Sequence, residues 1–169
     1  MVYRAIGVLD NNSEIIIAFA EFHENAGVWS CEIMANEKYQ ITPIGESINK
    51  FIKDKGLQYQ VALISYHAYS STRSESGAII ATETELPVIT DLQAMDIALG
   101  GNGEFFSNAV GKMNLKLDTD ETSQSDLKKA VCIAFMGVLR WREEYNFLSS
   151  ITGARRNSIG GAVWLGQEA

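Results

Sequence analysis

Residues Glu83–Gly103 read ETELPVITDLQAMDIALGGNG, and this stretch decides how the rest of the chain is interpreted. A helix end leads into the short apolar run Pro87–Thr90, which predicts a buried strand. Asp91 and Asp96 follow that strand, and a glycine cluster ends the stretch. Acids just beyond a strand end can take part in chemistry, although Asp91 can equally cap the turn that follows.

Toward the N-terminus, the pattern predicts three strands joined by short turns. The strands are Val2–Leu9, Glu14–Phe22 and Val28–Met34, which are apolar and partly alternating. Turn-forming residues occupy Asp10–Ser13 and Asn25–Gly27. Consecutive strands with such short connections form an antiparallel meander.

Between the meander and the opening stretch, helical and strand periods alternate. Thr42 is a candidate N-cap with Pro43 at the first helical position, and Gly56 is a candidate helix end. A strand at Val61–Ser65 and a helix at Gly77–Glu85 follow. Because alternating helices and strands add parallel strands to a sheet, we predict an α/β fold with a mixed sheet in the order β-β-β-α-β-α-β.

The C-terminal part predicts a polar linker and one long helix. Lys116–Ser125 is polar and acidic, and Asp126–Ser150 carries apolar residues at the spacing of one helical face. We predict a single domain over residues 1–169, made of a lobe (1–111), a polar linker (112–125), and a C-terminal helix with its tail (126–169). The apolar face of that helix is expected to pack back on the sheet.

Three segments resemble the anhydro-N-acetylmuramic acid kinases, two-lobed sugar kinases of the actin/hexokinase-like superfamily. The opening stretch is similar to their catalytic segment, ETGLPVV-x-DFR-x-x-D-x-A-x-GGQGAPL. YRAIGV near the N-terminus resembles their first strand, and GVLRWR in the predicted C-terminal helix resembles the end of some bacterial members. The family's second lobe has no counterpart here. The resemblance therefore implies a truncated, degenerate member: one actin-like ATPase lobe, which is ribonuclease H-like, with the C-terminal helix.

The resemblance also implies roles for particular residues. Asp91 and Asp96 match the family's catalytic acids. The implied substrate-binding residues are Ser65, His67, Gly100, Gly101 and Gly103. The phosphate-binding hairpin is degenerate, because Asp10, Asn11, Asn12 and Ser13 stand where the family has glycines and a threonine. Structural interpretations stay open for all of these, with His67 as an ordinary loop or core histidine and the glycines as a flexible turn.

From the resemblance we predict a degenerate, non-catalytic sugar-kinase-like domain that acts as a binding or interaction module. The alternative is a residual ATP-dependent sugar kinase, or a sugar- or anion-binding protein, in the recycling of cell-wall amino sugars. Catalysis is not expected, because one lobe cannot close on a substrate. No cofactor is predicted, and ATP and Mg²⁺ would be needed only if activity survived. No metal-ligand spacing is present.

Composition restricts the partners and the compartment. The net charge of -7 argues against nucleic acid and anionic membranes as partners. No apolar run approaches the roughly 20 residues that span a bilayer, and the N-terminus lacks a signal peptide, which predicts a cytoplasmic protein. Cys31 and Cys132 are interpreted as buried, reduced thiols, with a disulfide or a reactive thiol as the alternative.

The missing second lobe predicts self-association. It would leave the cleft face bare, and Phe105 and Phe106 follow the cleft segment directly. Because large exposed apolar patches often mark interfaces, we predict a homodimer through this face. The alternative is a monomer in which the linker covers the patch. The small-molecule ligand that the resemblance implies is an anhydro-amino sugar.

Overall fold

A mixed sheet of seven strands, with helices on both faces, organises the described part of the chain. The computed structural model describes residues 1–40, 42–69, 75–98, 113–115, 121–148 and 162–164. The strands are β1 (Val2–Asp10), β2 (Glu14–Asn25), β3 (Val28–Gln40), β4 (Leu63–Ala68), β5 (Val88–Thr90), β6 (Met113–Leu115) and β7 (Ala162–Trp164). The helices are α1 (Ile44–Lys55), α2 (Gly77–Thr84), α3 (Leu92–Ala98) and α4 (Glu121–Leu148).

The strand order across the sheet is β6-β3-β2-β1-β4-β5-β7. β1, β2 and β3 form the antiparallel meander, while β4 lies parallel to β1 and β5 lies parallel to β4. β6 adds to β3 in parallel, and β7 adds to β5 in the antiparallel sense. The prediction of a mixed α/β sheet is therefore confirmed.

The third strand is longer than predicted. β3 runs to Gln40, whereas the pattern predicted an end at Met34. Its second half is largely polar, so it lacks the apolar run on which the prediction relied. It stays in the sheet because β2 pairs with it along its length, and because Ala35 and Tyr39 pack against the core below α1.

The start of α1 also differs from the prediction. The N-cap is Pro43 rather than Thr42, and it makes no side-chain capping hydrogen bond. The backbone N–H of Ile44 donates instead to Glu75 Oε2, at 2.7 Å, from 31 residues further along the chain. Local sequence could not show this, because the group that satisfies the helix end comes from a distant segment.

Each face of the sheet has its own apolar core. On one face, α1 and α2 cover Ile6, Val8 and their neighbours. On the other face, α4 lies across β1, β2 and β4, and Phe135 contacts Phe22 and Trp29 with ring centroids 5.7 and 5.2 Å apart. A Cβ at Gly7 would collide with the α4 backbone, so this glycine allows the close approach of helix and sheet.

Some predicted boundaries fall inside structured segments. β6 and the first residues of α4 lie within the predicted linker 112–125, and β4 extends to Ala68, where a loop was predicted. The division into lobe, linker and helix stays a prediction. Cys31 and Cys132 are both free thiols, and burial raises the pKa of each to about 12. Among the described helices, none combines the length and apolar character needed to cross a bilayer.

Candidate functional site

A cleft of about 790 Å³ opens where the parallel strands β4 and β5 end. In open α/β sheets, ligands bind beyond the carboxyl ends of the strands, where the chain leaves the sheet in opposite directions. The cleft is lined by the end of β4, the start of α2, the β5–α3 junction and β7. The lining residues are Tyr66, His67, Ala68, Tyr69, Glu75, Ser76, Gly77, Thr90, Asp91, Leu92, Gln93, Ala94 and Trp164.

Two partly exposed aromatic side chains are among the residues that line the cleft. Tyr69 is 44% exposed and Trp164 is 38% exposed. The indole N–H of Trp164 donates to Thr90 Oγ1 at 3.0 Å. Trp164 also lies so close to Gly77 that any side chain at position 77 would collide with the indole. Lys129 Nζ, from α4, lies 5.3 Å from the centre of the Tyr69 ring.

Asp91 lies at the junction between β5 and α3 in an unusual backbone conformation. Its φ is 59°, in the left-handed region that non-glycine residues seldom occupy, although aspartate tolerates it better than most. Its side chain is exposed and lines the cleft. The structure thus holds a carboxyl side chain at the open end of the sheet, beyond the end of β5.

His67 and Glu75 line the same cleft with altered acid–base properties. Burial lowers the pKa of His67 below its usual value, so the neutral imidazole predominates at pH 7. Burial also raises the pKa of Glu75, and the negative charges of Glu83 and Asp10 add to that effect. The hydrogen bond from Ile44 N–H opposes the rise. The backbone N–H of Glu75 donates to the Tyr66 hydroxyl at 3.3 Å.

The β1–β2 hairpin satisfies its own backbone donors. Asn12 N–H donates to Asp10 Oδ1, and the N–H groups of Ser13 and Glu14 both donate to Asn11 Oδ1, at 2.7–3.0 Å. Asn12 has the positive φ, 75°, that the tight turn requires. A bound phosphate needs free N–H groups, and these three are engaged within the turn.

The other predicted site residues fall in different places. Ser65 is fully buried under α4 and does not line the cleft. A Cβ added at Gly137 of α4 would come within 2.5 Å of the Cβ of Ser65. Asp96 belongs to α3. The remaining predicted residues, Gly100, Gly101, Gly103, Phe105 and Phe106, lie outside the described residues.

The described carboxylates do not fit a metal centre. Within residues 1–98, β6, α4 and β7, as far as they are described, no group of three His, Cys, Asp or Glu side chains is arranged to hold a metal ion. Asp10 at the end of β1 is only 3% exposed and already accepts a hydrogen bond from Asn12. Two-metal phosphodiester cleavage needs several convergent oxygen ligands, so these residues support no such step.

Sequence reasoning missed the residues that give the cleft its character: Tyr69, Glu75 and Trp164. Tyr69 lies in a stretch that reads as a polar loop, and Trp164 is nearly one hundred residues away along the chain. A sequence signal was present, since Trp164 belongs to the short apolar run Ala162–Leu165 between glycines, a pattern that fits a short strand. Only the pairing of β7 with β5 brings Trp164 to Thr90.

Comparisons with known proteins support the fold alone. No model of a known protein family and no curated protein matches this chain. The match to the structure of Thermus thermophilus RuvC covers 84% of this chain and 96% of the RuvC chain, with 15% sequence identity and a TM-score of 0.55. T. thermophilus RuvC in complex with a Holliday junction substrate covers the same shares, with 16% identity and a TM-score of 0.51. This likeness shows a mixed α/β fold of the ribonuclease H-like kind.

These findings correct the identification made from sequence. The assignment to the anhydro-N-acetylmuramic acid kinases is wrong, and with it fall the degenerate sugar-kinase function, the residual kinase, the role in amino-sugar recycling and the anhydro-amino sugar ligand. The physical reason is that the matched segments are short strands, turns and a helix. Their apolar and glycine patterns follow from backbone geometry, which unrelated proteins of the same fold share.

The exclusion of nucleic acid is wrong as well. It rested on the net charge of the whole chain, whereas a chain of the same fold has been solved with a Holliday junction substrate. Net charge is an average over the surface and governs long-range attraction. It does not determine what one cleft can hold, so the partner must be argued from the side chains of the cleft.

Proposed function

We propose that this chain is a cytoplasmic nucleic-acid-binding domain that holds unpaired bases in the cleft at the ends of β4 and β5. The observation that carries the proposal is that the aromatic side chains of Tyr69 and Trp164 both line the cleft. Base stacking on such rings contributes about 1–3 kcal/mol per base and suits any sequence, since every base has a π-face. The ribonuclease H-like fold that the chain shares with RuvC supports the same class of ligand.

The charges around the cleft favour bases over the phosphate backbone. Asp91 and Glu75 both line the cleft, and their carboxylates repel phosphate. A neutral His67 adds no positive charge at pH 7. Lys129 beside Tyr69 provides one positive charge that can meet a phosphate next to the stacked base. Binding of this kind relies on stacking and on base edges, and it requires an unpaired strand.

We propose a binding domain rather than a nuclease. Cleavage by metal-bound water needs several carboxylates around the metal, and the described residues do not supply them. Of the residues singled out in the sequence, we assign ligand contact to Asp91 and His67. Base stacking requires no cofactor. The domain is proposed to act as one unit over its 169 residues.

Fluorescence anisotropy with labelled oligonucleotides tests this function. We expect a single strand of about 10 nucleotides to bind more tightly than a duplex of the same length. Trp164→Ala and Tyr69→Ala should each weaken binding by about 5- to 150-fold, the equivalent of one lost stacking contact. Tyr59→Ala is the matched control, because this fully exposed tyrosine lies before the start of β4, whereas the cleft lies at the end of that strand.

Three results would contradict the proposal. If neither aromatic substitution changes the affinity more than Tyr59→Ala does, the cleft is not the binding site. If single strand, duplex and four-way junction all fail to bind at 100 μM protein, the function is wrong. A cleavage assay with Mg²⁺ or Mn²⁺ completes the test, since metal-dependent cleavage would show that the chain is a nuclease and not only a binding domain.

A further inference from the structure

We infer that the cleft is selective for guanine and that Asp91 is the residue that recognises it. This inference rests on the proposed function and specifies which base the cleft prefers. It is carried by the position of a carboxylate at the open end of the sheet, beside two aromatic rings that can hold a base by its faces.

The neighbours of Asp91 in the chain fix its position. The residue follows β5 directly and precedes α3, so its backbone is fixed between two regular elements. Its left-handed φ of 59° costs energy for most residues, and such conformations are concentrated where a side chain has a function. Thr90, the preceding residue, accepts the indole N–H of Trp164. The Trp164 ring is therefore hydrogen-bonded to the residue next to Asp91.

The hydrogen-bonding capacity of a carboxylate determines which base it can recognise. An ionised carboxylate only accepts hydrogen bonds, and its two oxygens best match two donors side by side. On its Watson–Crick edge, guanine presents N1–H and the 2-amino group as adjacent donors. Adenine and cytosine each present an amino group next to an acceptor, and uracil and thymine present one N–H between two acceptors. Guanine is therefore the base that gives both Asp91 oxygens a partner.

The group that Asp91 contacts is not a phosphate. Phosphate oxygens and a carboxylate are both acceptors and both negative, so they repel each other. Glu75 lies in the same cleft and adds to that repulsion. Gln93, two residues after Asp91, also lines the cleft, and its amide N–H₂ can donate to the O6 acceptor of guanine. Donors and acceptors around the cleft thus complement the edge of one base.

The test uses ten-nucleotide thymidine strands that carry one central guanine, hypoxanthine, adenine or cytosine. Hypoxanthine is guanine without the 2-amino group, so it removes one of the two donors and changes little else. We expect the wild-type protein to prefer guanine over hypoxanthine by about 5- to 150-fold, the range of one bidentate base contact. Adenine and cytosine should bind no better than hypoxanthine.

Asp91→Asn gives a sharper test, because it changes the expected preference rather than only weakening it. An asparagine amide presents one acceptor and one donor, which match the amino group and the neighbouring acceptor of both adenine and cytosine. We expect the variant to lose the preference for guanine over hypoxanthine and to bind the adenine and cytosine strands at least as well as the guanine strand. Asparagine tolerates a positive φ as aspartate does, so the variant should fold. Asp54→Asn, on the exposed face of α1, is the matched control and should keep the wild-type order.

The outcomes separate this inference from the function on which it rests. If the strands bind but guanine and hypoxanthine bind equally, or if Asp91→Asn keeps the guanine preference, base selection by Asp91 is wrong and base binding by the cleft survives. If no strand binds, the proposed function is wrong and the inference falls with it. We expect Asp91→Asn and Asp54→Asn to have equal thermal midpoints. A lower thermal midpoint for Asp91→Asn alone would mean that Asp91 has a structural role instead.

Discussion

At the scale of single residues, Ser65 carries a hydroxyl that is completely buried below α4 and has no hydrogen-bond partner among the described residues. A buried polar group without a partner destabilises the folded state, so Ser65→Ala should raise the free energy of unfolding by about 1 kcal/mol. Urea denaturation measures this. Ser76→Ala is the contrasting control, because the Ser76 hydroxyl caps α2 by accepting from Ala78 N–H and its loss should cost about 1 kcal/mol. Equal effects of the two substitutions would contradict the prediction.

Glu75 provides a prediction on pH dependence. Its pKa in the folded protein is raised by burial above the usual 4.5, so the folded state favours the protonated form. Stability therefore falls as the pH rises from 4.5 through the folded pKa. We expect Glu75→Gln to have a higher thermal midpoint than wild type at pH 7 and the same midpoint at pH 4, since a glutamine oxygen can still accept from Ile44. Glu46→Gln, on the exposed face of α1, should show no such gain.

At the scale of elements, the sequence predicted β1 to β5, α1, α2 and the long helix α4, but not α3, β6 or β7. β1, β2 and β5 begin or end within a few residues of their predicted limits, and α2 differs at one end by one residue. The errors occur where a partner distant in sequence determines the outcome. The polar half of β3 is held by its pairing with β2, and α1 begins where Glu75 accepts the first N–H. A local pattern carries no information on either partner.

The long helix α4 has a role that its periodicity predicted. Phe135 is fully buried and contacts Phe22 and Trp29, so the helix is part of the core and not an exposed arm. Phe135→Ala should lower the free energy of unfolding by about 3–5 kcal/mol, as for other buried phenylalanines. Ile79→Ala is the control, since Ile79 is 53% exposed on α2. A denaturant midpoint for Phe135→Ala that matches the Ile79→Ala value would mean that α4 is not packed on the sheet.

The packing of α4 also depends on small residues. Gly137 packs so closely on Ser65 that there is no room for a methyl group. A Cβ at position 137 would lie 2.5 Å from Ser65 Cβ and 2.8 Å from Ser65 Oγ. Gly137→Ala should therefore destabilise the protein by about 1–3 kcal/mol through overpacking, despite the better helix propensity of alanine. Replacing Ser65 with glycine in the same chain removes both clashing atoms. The double variant should therefore lose less stability than the sum of the two single variants, and strict additivity would contradict this account.

At the scale of the whole molecule, the sequence predicted the mixed α/β sheet but misled on identity and on the partner. Asp91 was named because it follows a predicted strand, His67 was named from the family resemblance, and both line the cleft. Tyr69 and Trp164 could not be named, because the cleft exists only once β7 pairs with β5 and brings Trp164 beside Thr90. The exclusion of nucleic acid failed for a related reason. It treated a net charge of -7 as if it were spread evenly, whereas the cleft is defined by a few side chains.

The side chains of the cleft make a prediction about how binding responds to salt. Proteins that make 6–10 phosphate contacts lose about 10³–10⁵ in affinity between 50 and 200 mM salt. A cleft that binds by stacking, with Lys129 as its nearby cation, should lose only about 3-fold for one phosphate contact on a single strand. Lys129→Gln should reduce the slope of log affinity against log salt by about 0.7. Lys50→Gln is the matched control, because Lys50 also lies over a tyrosine ring, Tyr39, at 5.8 Å, but on α1. A steep salt dependence in the wild-type protein, or equal slopes for the two lysine variants, would show that the phosphate backbone rather than the base determines binding.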